Sequence, residues 1–191
     1  YFWRSHDRGR TWSERYPASI VGLSDDYPYT FLGESQFWQV PSGKVLVLAR
    51  VDAMYLPQPG GDVLPTGEEA KVGHPYDRTT LYETTDEGRT VRPVRGLGVL
   101  GEYYPALLRL NDGRLLLTFT VRSGRRPLGV RAVVGEELHD DIRFDMEHDR
   151  FVLDAKTAPD VGSGGGFGPT VQLDDGTLVT SYSWRDAERA T

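Results

Sequence analysis

Glu34 and three arginines are the side chains of this 191-residue chain whose types and positions best suit the binding of a ligand. Glu34 precedes a predicted β-hairpin and Arg50 ends it, so both should lie at the same end of that hairpin. Arg125 and Arg126 follow a second, similar hairpin. Guanidinium groups bind carboxylates through paired hydrogen bonds, so the arginines favour an anionic ligand. The alternatives are a structural ion pair between Glu34 and Arg50 and solvated loop charges at Arg125 and Arg126.

Aromatic residues stand at two further positions where a hairpin begins. Tyr103 and Tyr104 enter the second hairpin, where they either face a ligand or simply pack. Phe167 lies in the glycine-rich stretch GSGGGFG, residues 162–168, which enters a third hairpin. This stretch is not a phosphate-binding loop, because it lacks the GxxxxGK[ST] pattern. It is either part of a site or a slack connection.

Three apolar hairpins set the positions of these residues. Each consists of an apolar strand, a tight turn that ends in glycine and a second apolar strand. They span residues 37–50, 106–121 and 170–182. Their turn glycines, Gly43, Gly113 and Gly176, are 70 and 63 residues apart. Because glycine reaches positive φ without a Cβ clash, each of these turns predicts a β-hairpin.

Further strand pairs between the hairpins complete a four-stranded repeat. The first pair comprises residues 78–84 and 90–94, and the second comprises 128–134 and 149–154. No stretch has the periodicity of an amphipathic helix of ordinary length. Four-stranded units that repeat about every 60 to 80 residues are typical of β-propeller blades. We therefore predict an all-β fold made of propeller blades of four antiparallel strands.

The predicted blades make residues 1–191 one partial propeller. The end of a blade covers 1–33, two near-complete blades cover about 34–100 and 101–160, and the start of a further blade covers 161–191. This is about half of a closed ring, and a half ring would leave sheet edges exposed. We therefore expect the chain to be a fragment whose partners include the missing blades of a longer parent chain.

A short motif occurs twice, 79 residues apart, at turns between predicted outer strands. The first copy is SHDRGRTW, which places Ser5, Asp7, Gly9, Thr11 and Trp12 close together. Asp7 can accept hydrogen bonds from backbone amides of its own turn, and Gly9 supplies a positive φ. Thr11 adds a side-chain hydrogen bond, and Trp12 is expected to cover the edge of the blade. These residues therefore predict a locked hairpin turn.

The second copy, TTDEGRTV, keeps Asp86, Gly88 and Thr90 but has Thr84 and Val91 in place of serine and tryptophan. Both copies resemble the Asp-box of sialidases and related BNR-repeat propellers. The resemblance implies the C-terminal half of a six-bladed, sialidase-like β-propeller. It implies a structural role for the motif and no particular activity.

The segment GESQFWQVPSGKVLVLAR, residues 33–50, extends this resemblance. Sialidases carry Asn-Glu, an apolar strand, an Asp-Gly turn, a second strand and then Arg. The resemblance would make Glu34 the acidic partner of a nucleophile and Arg50 a member of the arginine cluster that binds the sialic acid carboxylate. Arg125, or Arg126, would be a further member of that cluster. The family nucleophile is a tyrosine from which the neighbouring glutamate withdraws the proton.

The sequence departs from this family at the nucleophile. Phe167 stands where the family has its tyrosine, and phenylalanine has no hydroxyl group. Tyr104 is a possible substitute, and the family's first arginine and acid–base aspartate are expected upstream of Tyr1. Two functions therefore stay open. One is a sialidase-like glycoside hydrolase acting on sialic-acid-type or other anionic glycans, and the other is a non-catalytic glycan-binding propeller that has lost its nucleophile.

Composition argues against several other classes of protein. The formal net charge of −6 argues against a nucleic-acid partner. The chain has no cysteine and therefore no thiol chemistry. No apolar run approaches the roughly 20 residues of a membrane-spanning helix. The four histidines lack zinc-like spacing, and we predict neither a metal nor a cofactor.

Overall fold

A computed structural model of the chain describes residues 2–16, 19–20, 33–52, 77–122, 127–156 and 169–182. These residues form fourteen β-strands and no helix. The predicted all-β class is therefore confirmed. The strands make several separate sheets, and in the described part of the chain none of the sheets closes into a barrel or a propeller.

The first large sheet is an antiparallel meander of four strands. Its strands are β4 (Gly33–Gln39), β5 (Val45–Asp52), β6 (Asp77–Thr84) and β7 (Thr90–Leu97), in chain order. The short strand β3 (Ser19–Ile20) adds to β7 in parallel. Strand β5 reads as an almost continuous apolar run, as expected of a strand buried on both faces. The sheet follows the predicted order of an inner hairpin followed by an outer hairpin.

The second large sheet repeats this pattern with one addition. Strands β8 (Glu102–Arg109), β9 (Leu115–Val121), β10 (Leu128–Glu137) and β12 (Arg150–Lys156) form the meander. The extra strand β11 (Ile142–Phe144) pairs with the far end of β10. The sequence predicted only a turn at β11, so that part of the prediction is wrong.

Two-stranded hairpins lie at both ends of the chain. The first joins β1 (Phe2–Arg4) to β2 (Glu14–Tyr16), and the last joins β13 (Thr170–Gln172) to β14 (Leu178–Thr180). Strand β8 contacts both β4 and β13. The first strands of three successive hairpins are therefore neighbours in space.

The three predicted glycine turns have the same geometry. Gly43, Gly113 and Gly176 adopt φ of 89°, 88° and 89°. In each turn the glycine amide donates to the carbonyl oxygen three residues earlier, at 2.8 to 2.9 Å. Local turn chemistry therefore fixes the repeat, because glycine is the residue that enters this region of φ without strain.

The sheets pack through apolar side chains and through polar contacts, of which the Gln36 side chain makes the most regular one. Leu46 and Leu48 of β5 share a buried cluster with Leu115 and Leu117 of β9. The Gln36 side chain of β4 reaches the main chain at Leu107 in β8. Its amide nitrogen donates to the Leu107 carbonyl at 2.9 Å, and its carbonyl accepts from the Leu107 amide at 2.7 Å. This pair of hydrogen bonds sets β8 against β4.

The first Asp-box turn is held by its aspartate. The Asp7 carboxylate accepts from the Thr11 amide at 2.8 Å and from the Thr11 hydroxyl at 2.7 Å. The Ser5 hydroxyl donates to Asp7 at 2.8 Å and accepts from the Gly9 amide at 2.7 Å. The Thr11 hydrogen bonds, with that from Ser5, lower the pKa of Asp7 to about 2. The Trp12 indole donates to the Gly9 carbonyl and is 57% exposed.

The second Asp-box turn, between β6 and β7, repeats this network. The Asp86 carboxylate accepts from the Thr90 amide and hydroxyl at 2.8 and 2.7 Å. The Thr84 hydroxyl takes the place of serine, because it donates to Asp86 at 3.0 Å and accepts from the Gly88 amide at 2.8 Å. Both motif copies therefore hold their turns closed, and the second copy lies at the end of the first large sheet away from Glu34.

Candidate functional site

Four strands bring polar side chains together at the end of the first sheet opposite the Asp-box turn. Glu34 lies at the start of β4, Arg50 near the end of β5 and Asp77 at the start of β6. Tyr104 joins them from the start of β8 in the second sheet. Antiparallel pairing of β4, β5 and β6 produces this convergence, since it aligns the beginning of one strand with the end of the next.

Arg50 is the centre of the cluster. Its Nε lies 2.9 Å from Glu34 Oε2 and 3.1 Å from Asp77 Oδ2. Its Nη1 donates a hydrogen bond to the Tyr104 hydroxyl at 3.0 Å. A Cβ on Gly33 would stand 3.2 Å from Arg50 Nε, so the glycine leaves room for the guanidinium. One guanidinium group therefore links two carboxylates and a phenol.

Burial divides this cluster into an inner and an outer part. The side chains of Arg50 and Asp77 are 11% and 8% exposed, whereas that of Glu34 is 35% exposed. Tyr104 is 8% exposed. The buried charges are paired, as low-dielectric surroundings require. Glu34 is therefore the charged member of the cluster that is most open to a ligand.

Two tyrosines flank the arginine. The rings of Tyr103 and Tyr104 meet edge to face, with centroids 4.8 Å apart. The guanidinium carbon of Arg50 lies 5.3 Å from the Tyr104 centroid, and that of Arg122 lies 5.8 Å from the Tyr103 centroid. Tyr103 is fully buried, and this burial raises the pKa of its hydroxyl. The ring of Tyr103 therefore supports the cluster from inside.

Tyr104 has an unusual backbone conformation. Its φ is +62°, in the left-handed region that non-glycine residues seldom occupy. Such strained residues concentrate at functional sites, where the surrounding structure holds them in place. Here the register of the β8–β9 pairing shifts between Tyr103 and Ala106, which accommodates the conformation. The irregularity directs the start of β8 toward Arg50.

A groove of about 400 Å³ opens beside the cluster. Its lining residues come from β4, from β8 and from the start of β13. Within the described part of the chain they are Glu34, Ser35, Gln36, Pro105, Ala106, Leu107, Pro169 and Thr170. The volume lies within the range of small-molecule sites in proteins. Glu34 belongs both to this groove and to the Arg50 cluster.

The structure unites some of the predicted site residues and leaves others outside its description. Glu34, Arg50, Tyr103 and Tyr104 lie together. Three further predicted residues fall outside the described residues: Arg125, Arg126 and Phe167. Sequence reasoning missed Asp77 and Arg122. The sequence contains a signal for both residues. Asp77 follows the long connection that begins shortly after Arg50, and Arg122 directly follows β9.

The described residues hold no group of three or more histidine, cysteine, aspartate or glutamate side chains placed to bind a metal ion. Within the same ranges, no helix is long and apolar enough to cross a membrane.

Comparison with known proteins shows a likeness in fold. No protein-family model and no curated protein matches the chain. A crystal structure of a protein of unknown function from Dyadobacter fermentans DSM 18053 has a similar fold, with a TM-score of 0.59 and 22% sequence identity. The match covers 96% of this chain and 40% of that chain. This chain therefore spans about two fifths of the length of its structural neighbour, and the likeness concerns the fold alone.

Proposed function

We propose that this chain is part of a sialidase-like β-propeller and that the Glu34–Arg50–Tyr104 cluster is its glycan site. The repeated meanders, the two Asp-box turns and the adjacency of β4, β8 and β13 support the propeller. A ring requires more blades than the two four-stranded units described. The missing blades of a longer parent chain would supply them.

The proposed reaction is glycoside hydrolysis, and the observation that carries it is the convergence on Arg50. The Tyr104 oxygen would attack the anomeric carbon while the bond to the leaving oxygen breaks. Glu34, bound to the same guanidinium, would take the phenolic proton. Arg50 stabilises the negative charge that develops on the phenol oxygen. The leaving oxygen needs a proton from an acid outside this cluster, and water then releases the sugar from Tyr104.

The anionic glycan expected from the arginines remains a prediction. Arg50 is already bound to two carboxylates, so its contacts do not by themselves favour an acidic sugar. Arg125 and Arg126 are the other cations on which that prediction rests.

A second candidate function is glycan binding without catalysis. Two points favour it: Tyr104 is 8% exposed, and the resemblance to sialidases puts Phe167 at the family's tyrosine position. A nucleophile must reach the anomeric carbon, and a covered hydroxyl does so poorly. The two candidates share the same site and differ in whether Tyr104 forms a bond with the sugar.

The test is release of a fluorophore from a panel of aryl glycosides that includes a sialoside. The native protein is compared with Tyr104→Phe, Glu34→Gln and Phe167→Tyr. Tyr182→Phe is the matched control, because Tyr182 is exposed and lies beyond β14. The reaction predicts turnover that falls at least about 100-fold in Tyr104→Phe and is unchanged in Tyr182→Phe.

Other outcomes separate the two candidates. Turnover that survives in Tyr104→Phe would contradict the role given to that residue. Binding of a glycan without turnover by the native protein, with turnover gained in Phe167→Tyr, would establish the non-catalytic propeller. Neither binding nor turnover with any member of the panel would contradict the glycan site itself.

A further inference from the structure

We infer that the groove beside Glu34 binds an uncharged sugar unit and discriminates against one that carries a carboxylate. This inference rests on the proposed glycan site and names its ligand class. It opposes the anionic ligand that the arginines of the sequence suggest. The observations that carry it are the charges, the hydrogen bonds and the apolar surface of the groove lining.

The charge of the lining is the first observation. Among the eight described residues that line the groove, Glu34 is the only charged one. Arg50 is not among them, and its Nε lies against the Glu34 and Asp77 carboxylates. A ligand carboxylate in the groove would therefore meet Glu34 before it met a cation. Like charges repel more strongly beside a protein surface than in water, because the effective dielectric constant is lower there.

The polar groups of the lining are the second observation. The Gln36 amide group is occupied by the main chain of Leu107. The Thr170 hydroxyl donates to the Thr180 hydroxyl at 2.8 Å. Glu34 and Ser35 are the more exposed polar residues of the lining. A carboxylate has room for several hydrogen bonds, so Glu34 can accept from sugar hydroxyls while it stays paired with Arg50.

The apolar part of the lining is the third observation. Pro105, Ala106 and Leu107 follow one another along β8, and Pro169 stands beside them at the start of the third hairpin. The exposed or partly exposed Pro105, Ala106 and Pro169 offer a surface for the C–H face of a sugar ring, whereas Leu107 is buried in the core. Few fixed polar groups and a mostly apolar wall are typical of small-molecule sites. The combination suits a hydroxyl-bearing, uncharged ring.

The test uses matched pairs of sugars that differ only at C6, where the hydroxymethyl group of the neutral member is a carboxylate in the acidic member. The probes are methyl β-glucoside against methyl β-glucuronide, and methyl β-galactoside against methyl β-galacturonide. Isothermal titration of the native protein should give at least tenfold tighter binding for the neutral member of a pair. Glu34→Gln removes the repelling charge and should bring the two affinities closer together by improving the acidic member. Glu136→Gln is the charge-matched control, since Glu136 is exposed on β10 and outside this groove, and it should leave the ratio unchanged.

Salt dependence gives a second measurement that needs no variant. Added salt screens repulsion between exposed charges. The affinity of the native protein for the acidic member should therefore rise with salt, while that for the neutral member stays constant. Tighter binding of the acidic member, or an acidic affinity that falls with salt, would overturn this inference and leave the glycan site intact. Binding of no probe at all would overturn the glycan site together with the inference.

Discussion

Arg50→Met tests whether the charge cluster is as tightly coupled as its geometry indicates. The substitution keeps a long apolar stem but removes the guanidinium that contacts Glu34, Asp77 and Tyr104. Asp77 is 8% exposed, so its carboxylate would stay in a buried place without this cation. Removal of one partner from a buried ion pair destabilises proteins by roughly 3–5 kcal/mol. We expect a loss of at least about 3 kcal/mol in the free energy of unfolding, since the hydrogen bond to Tyr104 is lost as well.

The assay is urea unfolding of the native protein and four variants. Arg114→Met is the control, because Arg114 pairs with Asp112 at the exposed surface and its substitution should cost much less stability than Arg50→Met. Asp77→Asn alone, and combined with Arg50→Met, completes a double-mutant cycle. Neutralising Asp77 should recover at least about 1 kcal/mol of the loss caused by Arg50→Met. An equal loss in the two arginine variants, or no recovery in the double variant, would refute the reasoning.

Three further predictions concern the stability of the fold. Gly129→Ala should lower the free energy of unfolding by at least about 2 kcal/mol in urea titration, because φ is +126° and the new Cβ would lie 2.2 Å from the Asp154 carbonyl oxygen. Gln36→Leu should lower it by about 2 kcal/mol, since the Leu107 amide and carbonyl lose their side-chain partners; an unchanged value would contradict the bridge. Hydrogen bonds within its turn lower the pKa of Asp7 to about 2. The ionised Asp7 carboxylate therefore stabilises the folded state above about pH 4, and this stabilisation disappears as the pH falls through about 2. The stability advantage of the native protein over Asp7→Asn should shrink over that range in acid titrations, and a constant advantage would contradict this.

The features that the sequence predicted correctly depend on neighbours along the chain. The glycine turns at Gly43, Gly113 and Gly176 need only a residue that accepts positive φ, and the sequence shows such a residue directly. The Asp-box turns likewise close their hydrogen bonds within eight residues. Glu34 and Arg50 flank one hairpin, so their contact followed from a short-range pairing. Interactions between residues close in sequence were therefore enough to predict the repeat and the contact between Glu34 and Arg50.

The features that the sequence did not predict depend on contacts between distant segments. Strand β11 is fixed partly by Arg95 of the other sheet, which donates to both Asp141 carboxylate oxygens, at 2.9 and 3.1 Å, and to the Ile142 carbonyl at 2.6 Å. No turn rule contains that information. Asp77 joined the site because β6 pairs with β5 in a register that the sequence leaves open. The sequence shows that the polar residue Asp77 follows a long connection, but it does not show that Asp77 pairs with Arg50.

The Asp-box turns show which part of that motif does the structural work. Asp7 and Asp86 make the same hydrogen bonds although one copy has tryptophan at its end and the other has valine. In the corresponding region of the second sheet, before β12, the glycine and threonine positions are lost, yet Asp145 still accepts from the Glu147 and His148 amides at 3.0 Å. Backbone hydrogen bonds, that from His148 first, lower the pKa of Asp145, as hydrogen bonds within the turn lower that of Asp86. An ionised carboxylate that accepts amide hydrogen bonds from its own turn is therefore the part that persists in all three places.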